Sequence, residues 1–360
     1  MQDIRIGLVG ANPHRSWAKD SHVPAIQQLP GVDLAAVLGR SDASAREAAS
    51  AFGAPHWFTD VDALCASNLV DVIAVCVKVP DHAAIVQRAI AAGKHVYCEW
   101  PLGRTAAEAA ALAKQASDVG VHVAIGLQGR LSPAARRAKE LIAQGRLGRL
   151  RSAQVTSTTA GYAARLPAAY AYLNDPANGA NLTTILGGHT LDLTEMLLGA
   201  LTSVDALAKI QHPEIHLTDS DDVISRTTPD QLFILGLHAS GCVASIEVGG
   251  DRPPATPFTF EVIGDDATLR LVGGHPHGFQ AGELALFLDG RAEPLDAPLA
   301  HGGLHGAAVN VGEVYAALAR DIRDENFTVP DFAHAARLTR LVDSVSHAAA
   351  SGERQLIVQD

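Results

Sequence analysis

The feature that most constrains this chain is an alternation of apolar runs and helical segments through its first 129 residues. The apolar runs are short and rich in β-branched residues, and Ala-rich segments of helical length separate them. Strands that alternate with helices form parallel βαβ units, whose right-handed crossovers place helices on both faces of the sheet. We therefore predict an α/β domain over residues 1–129, with a doubly wound parallel sheet of the Rossmann type. The predicted strands are IRIGLVG, VDLAAVLG, VDVIAVCVKVP, KHVYCEWP and VHVAIGLQG.

The pattern changes after Gly129. A capped helix, SPAARRAKELIAQGRLG, comes first, and long strand-like segments separated by Gly and Asp turns follow it. Turns of this kind are typical of hairpins, which build antiparallel sheets. We predict an α+β domain over residues 130–360, with a large, open, mostly antiparallel sheet and a final helix. The strand-like segments are RLRSAQVTSTTAG, DVISRTTPDQLFILGLH, CVASIEVGG, FTFEVIGDDATLRLVGG and ELALFLDG.

Charge and cysteine usage narrow the function classes. The formal net charge is −11 and no long basic run occurs, which argues against nucleic acid or an anionic membrane as a partner. The four cysteines have neither paired nor metal-ligand spacing, so we expect reduced thiols and a reducing compartment. The first predicted strand begins at once and no apolar run has the length of a membrane span, so the expected location is the cytoplasm.

The turn after the first strand is the first candidate site. Gly7 and Gly10 precede a helix, and such a turn directs backbone N–H groups and the start of the helix at a pyrophosphate. The next glycine positions of the dinucleotide pattern carry Asn12 and Arg15, so a glycine turn without a ligand remains an alternative. The candidate cofactor contacts in this region are Gly10, Asn12, Ser16 and Trp17.

The end of the second strand bears on the choice of cofactor. An NAD site usually places an acid here to hold the ribose hydroxyls, but Gly39 occupies that place. Arg40 and Ser41 follow and are suited to a 2′-phosphate, which leans toward NADP. Arg40 is equally suited to a surface position or to stacking on adenine. The expected cofactor is therefore NAD or NADP.

The residues at the ends of the predicted strands resemble those of the Gfo/Idh/MocA family, which includes glucose–fructose oxidoreductase, inositol dehydrogenase and the rhizopine-catabolism proteins. The matching landmarks are VKVPDH (77–82), CEWP (98–101), LQGRLSP (127–133) and GGHTLD (187–192). Longer stretches, among them GANLTTILGGHTLD and SRTTPDQLFILG, are similar to the branch of the yeast galactose-regulon repressor, which binds a dinucleotide and acts through protein contacts. The resemblance implies a Rossmann domain followed by a substrate-binding and oligomerisation domain, and hence a homodimer or homotetramer.

The stretch CEWP departs from the dehydrogenases of this family. They carry Glu-Lys-Pro there, with a lysine that helps to move the hydroxyl proton as hydride leaves, and an Asp four residues before the active-site His. Here Trp100 stands at the lysine position and Ile185 at the Asp position, so that only His189 remains. An indole N–H donates a hydrogen bond but exchanges no proton at neutral pH. The usual acid–base lysine is therefore absent.

Three interpretations of Trp100 stay open. In the first, hydride transfer survives with another proton carrier, and Trp100 is a flat platform for a sugar ring. The candidate carriers are His189, Tyr162, Tyr170, Tyr172 and Lys78. In the second, the protein binds dinucleotide and a sugar or a partner without turnover. In the third, Trp100 is core filler in a scaffold that has lost its chemistry.

The first interpretation leads to an NAD(P)-dependent oxidoreductase that acts on a carbohydrate or sugar derivative at a secondary carbinol. A related version is a redox-assisted glycosidase, and the alternative is a non-catalytic dinucleotide-binding regulator that acts through protein–protein contact. GGHPHGF (273–279) is expected to be a loop, with no metal site. The remaining expected cofactor contacts are Val79, Pro80, His82, Glu99, Trp100 and Gln128, and the expected substrate contacts are Trp100, Arg130, Tyr162, Arg165, Tyr172, Asn181 and His189.

Overall fold

The computed structural model describes residues 3–14, 16–252, 258–296 and 303–358. Arg15, one of the two positions considered for the glycine pattern, lies outside the described residues. The described residues form two compact units. The first comprises residues 3–14, 16–128 and 303–337, and the second comprises residues 129–252, 258–296 and 338–358.

The first unit is built on a six-stranded sheet in which all paired strands are parallel. Its strands are Ile4–Val9 (β1), Val32–Leu38 (β2), His56–Phe58 (β3), Val72–Val75 (β4), His95–Glu99 (β5) and Val123–Gly126 (β6). The strand order is β3-β2-β1-β4-β5-β6, so the sheet is wound outward in both directions from a switch point between β1 and β4. The predicted doubly wound Rossmann sheet is confirmed.

Short polar side chains and glycines set the helix ends of this unit. Ser41, Asp60 and Thr105 are N-cap residues whose side chains accept a hydrogen bond from a backbone N–H of the first turn. Gly53 and Gly120 end two helices in the left-handed conformation. The helices are Val23–Gln28 (α1), Asp42–Phe52 (α2), Val61–Ala66 (α3), Val79–Ala91 (α4) and Ala106–Val119 (α5).

The second unit contains a nine-stranded mixed sheet and a small three-stranded sheet. Its helices are Pro133–Ala143 (α6) and Gly188–Leu198 (α7), and its strands are Leu150–Thr158 (β7), Arg165–Leu166 (β8), Leu201–Lys209 (β9), Glu214–Leu217 (β10), Val223–Ser225 (β11), Gln231–His238 (β12), Val243–Gly249 (β13), Phe258–Gly264 (β14), Thr268–Gly273 (β15), Leu284–Leu288 (β16), Arg291–Ala292 (β17) and Gln355–Leu356 (β18). The large sheet has the order β17-β16-β15-β14-β7-β13-β12-β9-β18, and all its pairs except β7–β13 are antiparallel. The small sheet has the order β11-β10-β8. The α+β class with a mostly antiparallel sheet is confirmed, although the predicted segment 222–238 is split between β11 and β12.

Two long helices, Ala307–Asp324 (α8) and Phe332–Ser351 (α9), lie near the end of the chain. Helix α8, which was not predicted, packs against α1 and near β6, so residues 303–337 group with the first unit. The compact units therefore do not follow a single division at residue 129. The assignment of cofactor binding to one domain, and of substrate binding and oligomerisation to the other, stays a prediction.

One face of the nine-stranded sheet exposes apolar side chains around β12. Side chains alternate along this strand, and Phe233, Leu235 and Leu237 are 47%, 61% and 43% exposed. Leu207 of β9 stands opposite Phe233, and Val243 of β13 stands opposite Leu237. We call these five residues the sheet patch.

His95 at the start of β5 and His122 just before β6 form a histidine pair. We expect this pair to make the free energy of unfolding depend on pH. The ring Nδ1 of His95 accepts a hydrogen bond from the backbone N–H of His122 at 3.0 Å, and the ring centroids are 5.1 Å apart. Burial, and then the proximity of His122, lowers the pKa of His95 to about 4, while Asp71 opposes this shift. A histidine of an unfolded chain has a pKa of about 6.5. The unfolded state therefore binds this proton more readily than the folded state does.

We expect the free energy of unfolding to be largest above about pH 6.5 and to decrease as the pH falls toward 4. The contribution of His95 is about 1–2 kcal/mol after allowance for its partial exposure. Urea unfolding at several pH values between about 7.5 and 5 measures the decrease. Burial also lowers the pKa of His82 and His238, so the matched comparison is His95→Gln, which keeps an acceptor. Identical pH dependence in the two proteins would contradict the assignment.

Candidate active site

The turn after β1 brings two stretches of backbone into close approach. Gly10 has a φ of +95°, and a Cβ at this position would lie 2.4 Å from the carbonyl oxygen of Cys76 and 3.1 Å from Cγ1 of Val77. The Cys76 backbone is held because its N–H donates to the carbonyl oxygen of Val9 at 2.9 Å. The turn therefore requires glycine. It forms a cradle at the carboxyl end of β1, beside the switch point, which is where doubly wound sheets bind dinucleotides.

The loop that leads from this turn to α1 is held by its own hydrogen bonds. The Asn12 carbonyl accepts from the Ser16 hydroxyl at 2.8 Å, and the Asn12 side chain accepts from the N–H of His14 at 2.9 Å. Trp17 follows, and its indole N–H is buried without a hydrogen-bond partner among the described residues. Burying a donor without a partner costs free energy, so this N–H is well suited to meet a ligand.

Packing explains the glycine at the end of β2. A Cβ on Gly39 would lie 2.7 Å from both the Cα and the backbone N of Ala45 in α2. Ser41 caps α2 reciprocally: its hydroxyl accepts from the N–H of Ser44 at 3.3 Å, and its own N–H donates to Oγ of Ser44 at 3.1 Å. Arg40 is exposed. The contact between β2 and α2 requires glycine at position 39. The absence of an acidic residue at this position therefore does not by itself indicate NADP rather than NAD.

The exit of β4 is tied to the exit of β5 by a buried histidine. Lys78 is the exposed N-cap residue of α4, and residues 79–80 form the first turn of that helix. The ring nitrogens of His82 lie 2.8 Å from the carbonyl oxygen of Pro101 and 3.1 Å from that of Val77. Burial lowers the pKa of His82, which favours the neutral ring. A neutral ring donates through one nitrogen only, so it satisfies one of these two carbonyl oxygens; Nδ1 also lies 3.4 Å from the Cys98 thiol. Both nitrogens of this predicted cofactor contact thus lie against protein groups.

The exits of β5 and β6 carry three of the predicted residues. Trp100 is buried, and the Trp100–Pro101 peptide bond is cis. The side chain of Glu99 is 14% exposed, and its Oε1 lies 3.0 Å from Nε2 of His22. Gln128 is buried, and its Oε1 has no hydrogen-bond partner within the described ranges. The unpartnered atoms of Trp17 and Gln128, together with the cradle at Gly10, fit a bound dinucleotide.

In the second unit, His189 lies on α7 one turn before Asp192. Nη1 of Arg130 donates to Oδ1 of Asp192 at 2.7 Å, and the Asp192 side chain is 2% exposed. The ring of His189 meets Phe279 edge-on, with centroids 6.4 Å apart. Phe279 comes from the GGHPHGF loop, which sequence reasoning had treated only as a connection. Helix α7 therefore carries both the candidate histidine and the carboxylate that holds Arg130.

The three candidate tyrosines lie near one another. Burial, and then Tyr172, raises the pKa of Tyr162. Burial, and then Tyr170, raises the pKa of Tyr172 to about 12. Tyr170 is 43% exposed on the short 3-10 helix Ala168–Asn174. Since Tyr162 and Tyr172 keep their protons throughout the neutral range, they are suited to hydrogen bonding rather than to proton transfer.

Asn181 has a structural role that the sequence did not indicate. Its side chain accepts from the N–H of Thr184 at 3.1 Å, and its own N–H donates to the Thr184 hydroxyl at 2.8 Å. This reciprocal cap begins a π-helical turn, Thr183–Gly187, which contains Ile185 and runs into α7. Such turns are frequent at functional sites. Asn181 thus fixes the start of the helix that carries the candidate histidine, whereas Arg165 is exposed on β8.

A buried ion pair that sequence reasoning missed lies between β11 and β12. The side chains of Arg226 and Asp230 are 2% and 1% exposed and 3.5 Å apart. Arg226 also donates to the carbonyl oxygens of His212 at 2.8 Å and Ala163 at 2.7 Å. Ala163 directly follows Tyr162, so the pair anchors the segment that holds this tyrosine. The only signal in the sequence was the pair of opposite charges within the stretch SRTTPD.

Two family models match consecutive parts of the chain. The model of the oxidoreductase family with an NAD-binding Rossmann fold matches residues 4–127, and that of the Gal80p C-terminal domain matches residues 133–273. The dehydrogenase aclE of Aspergillus oryzae is 32% identical over 282 residues, which are 75% of this chain and 77% of the relative. The chain belongs to the Gfo/Idh/MocA oxidoreductase family. Its first unit has the NAD-binding Rossmann fold of that family, as predicted.

Two further comparisons place this Gfo/Idh/MocA protein within the family. The galactose/lactose metabolism regulatory protein GAL80 of Saccharomyces cerevisiae is 29% identical over 331 residues, which are 83% of this chain and 73% of the relative. A solved structure of levoglucosan dehydrogenase in complex with NADH and levoglucosan has the same fold, with a TM-score of 0.84 and 20% identity, and the match covers 99% of this chain and 100% of that one. The GAL80 match and the match to the Gal80p C-terminal domain confirm the resemblance to the Gal80 branch.

No helix in the described part of the chain is both long enough and apolar enough to span a membrane. No group of three or more His, Cys, Asp or Glu side chains there is arranged to hold a metal ion.

Proposed function

We propose that the protein is an NAD(P)-dependent oxidoreductase that acts on a carbohydrate or sugar derivative by hydride transfer at a secondary carbinol. The observation that carries the proposal is the Gly10 cradle at the switch point of a sheet that matches the NAD-binding oxidoreductase family. The nicotinamide ring of a bound cofactor would accept the hydride. The levoglucosan dehydrogenase that shares the fold supports a sugar as substrate.

The carbinol proton needs an acceptor other than Trp100. His189 is our first candidate because an imidazole titrates near neutral pH. Tyr170 is the second, since it is the most exposed of the three tyrosines, and exposed Lys78 is the third. The pKa of Tyr162 and of Tyr172 is raised by burial, which makes both poor proton acceptors.

A redox-assisted glycosidase is a second version of this chemistry. Hydride loss from the carbinol two carbons away from the anomeric carbon gives a ketone that acidifies the C–H on the carbon between them, and a base then removes that proton as the aglycone leaves. Water adds to the resulting double bond, and the hydride returns to the ketone. The cofactor is unchanged overall, so this version appears as glycoside cleavage without net cofactor reduction.

The test combines the purified protein with NAD⁺ or NADP⁺ and a panel of sugars, polyols and glycosides. Absorbance of the reduced cofactor and release of free sugar are followed together. With an active substrate, His189→Gln is expected to lower kcat by about 10²–10⁴-fold, as loss of a general base does. His56→Gln, the same change at an exposed histidine on β3, is the matched control and should retain wild-type kcat. A His189→Gln variant with wild-type kcat would transfer the role to Tyr170 or Lys78.

A non-catalytic regulator is the alternative function, and Trp100 at the usual lysine position favours it. The match of residues 133–273 to the Gal80p C-terminal domain supports the same alternative. The regulator would bind dinucleotide as a ligand and act through protein–protein contact. Tight cofactor binding with no turnover and no sugar release across the panel would favour this function over the enzyme.

We also propose that the protein forms a homodimer or homotetramer through the sheet patch. Contiguous exposed apolar side chains are typical of interaction surfaces. Leu235→Glu at the centre of the patch is expected to shift the protein to monomers in sedimentation velocity, because a buried charge without a partner is costly. Val119→Glu, at an exposed apolar position on α5 of the first unit, is the control. An unchanged assembly in Leu235→Glu would contradict this surface.

A further inference from the structure

A buried polar cluster lies in the first unit at the carboxyl end of β5. Oε1 of Glu99 is 3.0 Å from Nε2 of His22, and Nδ1 of the same ring is 2.8 Å from the hydroxyl of Tyr315 in α8. The Tyr97 ring packs on both aromatic partners, with centroids 5.0 Å from His22 and 4.8 Å from Tyr315. We call Glu99, His22, Tyr315 and Tyr97 the Glu99 cluster.

The hydrogen-bond directions in the cluster follow from the protonation of its phenols. Burial first, and then neighbouring groups that include Glu99, raises the pKa of Tyr315 and of Tyr97 well above the usual range, so both hydroxyls stay protonated. With Glu99 as a carboxylate, both ring nitrogens of His22 are satisfied when Nε2–H donates to Glu99 and the Tyr315 hydroxyl donates to Nδ1. This arrangement requires no charge on the ring. It holds the carboxylate in one orientation. The buried Tyr97 hydroxyl has no hydrogen-bond partner among the described residues.

Glu99 is the member of the cluster whose side chain is partly exposed. The His22 side chain has no exposure, whereas that of Glu99 is 14% exposed. Gly126 at the end of β6 leaves space beside the Glu99 carboxylate, since a Cβ on Gly126 would lie 2.8 Å from Oε1 of Glu99. Glu99 also raises the pKa of the Cys76 thiol, after the larger effect of burial. The negative charge therefore lies at the same sheet edge as the Gly10 cradle, whose closest backbone neighbour is Cys76.

A carboxylate at this edge distinguishes the two redox states of a nicotinamide. The oxidised ring carries a positive charge and the reduced ring does not, and an opposite charge within a few ångströms favours the charged form. An uncharged side chain that contacted the cofactor would change the affinity for the oxidised and the reduced form alike. A fixed negative charge therefore acts on the ratio of the two affinities, and hence on the potential of the bound cofactor.

We propose that His22 and Tyr315 are positioning residues that fix the Glu99 carboxylate, and that this carboxylate favours binding of the oxidised over the reduced nicotinamide nucleotide. The proposal rests on the proposed function only in requiring that the protein binds NAD(P). It requires no turnover, so it applies equally to an enzyme and to a regulator.

The test measures dissociation constants for NAD⁺ and NADH, or for the NADP pair if that binds, by calorimetry. Glu99→Gln keeps the shape and removes the charge, and it should raise the ratio Kd(oxidised)/Kd(reduced) by about tenfold. Tyr315→Phe removes only the hydroxyl that orients His22, and it should raise the same ratio by about two- to fivefold. Asp118→Asn makes the same charge change at the exposed end of α5, and it should leave the ratio unchanged.

The outcomes separate this proposal from the proposed function. A wild-type protein that binds neither form would overturn both. If Glu99→Gln weakens both forms equally, NAD(P) binding stands and the redox preference is wrong. If Tyr315→Phe lowers the unfolding midpoint but leaves the ratio unchanged, His22 and Tyr315 are structural and their positioning role is wrong.

Discussion

Replacing Gly10 by alanine is expected to weaken NAD(P) binding by about a hundredfold, equivalent to about 2.7 kcal/mol. The added Cβ would lie 2.4 Å from the Cys76 carbonyl oxygen, which is backbone and cannot rotate away as a flexible side chain would. The φ of +95° adds strain, because L-residues rarely adopt such a value. The turn must therefore move away from the exit of β4, and the backbone N–H groups that would face a pyrophosphate move with it.

Gly120→Ala is the matched control for this change. Gly120 also has a left-handed φ, of +77°, but a Cβ there would meet nothing within 4 Å. The control should cost about 1 kcal/mol of unfolding free energy and leave nucleotide affinity within about twofold of the wild type. Calorimetric titration of both variants makes the comparison. If Gly10→Ala binds the nucleotide as tightly as Gly120→Ala does, the cradle does not hold the dinucleotide.

Patterns that are local in sequence were enough to predict the fold class. The strands of a doubly wound sheet are buried on both faces, so they appear as continuous apolar runs such as VDVIAVCV, and the helices between them carry their own caps. The second sheet alternates buried and exposed residues, which is visible along β12. Helix α8 was missed because most of its side chains are buried, which removes the contrast between an apolar and a polar face.

The candidate site was harder to predict because its residues meet across long stretches of chain. His22 lies 77 positions from Glu99 and 293 positions from Tyr315, and no spacing rule connects them. The π-helical turns before α1 and α7 are each five residues long, which is too short to show a periodicity in the sequence. The family resemblance identified His189 and Trp100, but it gave no reason to single out Phe279 or Arg226.

Arg226→Met is expected to lower the free energy of unfolding by about 3–5 kcal/mol, because it leaves the Asp230 carboxylate buried without its cation. The carbonyl oxygens of His212 and Ala163 lose their donor as well. Thermal unfolding should shift by roughly 10 °C for a unit of this size. Arg354→Met is the control, since Arg354 pairs with Asp205 at 2.8 Å on the surface with its side chain 65% exposed. It should cost less than about 1 kcal/mol.

A double variant, Arg226→Met with Asp230→Asn, separates the lost ion pair from the lost anchor of the Tyr162 segment. The Asp230 carboxylate also accepts from the backbone N–H groups of Gln211 at 2.8 Å and His212 at 3.0 Å. Asparagine removes the unpaired charge and keeps a side-chain oxygen as an acceptor, so part of the stability should return. Ala163 still lacks its donor, so the Tyr162 segment should remain loose, and any sugar affinity that depends on it should not return. A single Arg226→Met variant no less stable than Arg354→Met would contradict the role of the pair. Recovery of both stability and sugar affinity in the double variant would instead show that the unpaired Asp230 charge, and not the lost contact with Ala163, caused the defect of the single variant.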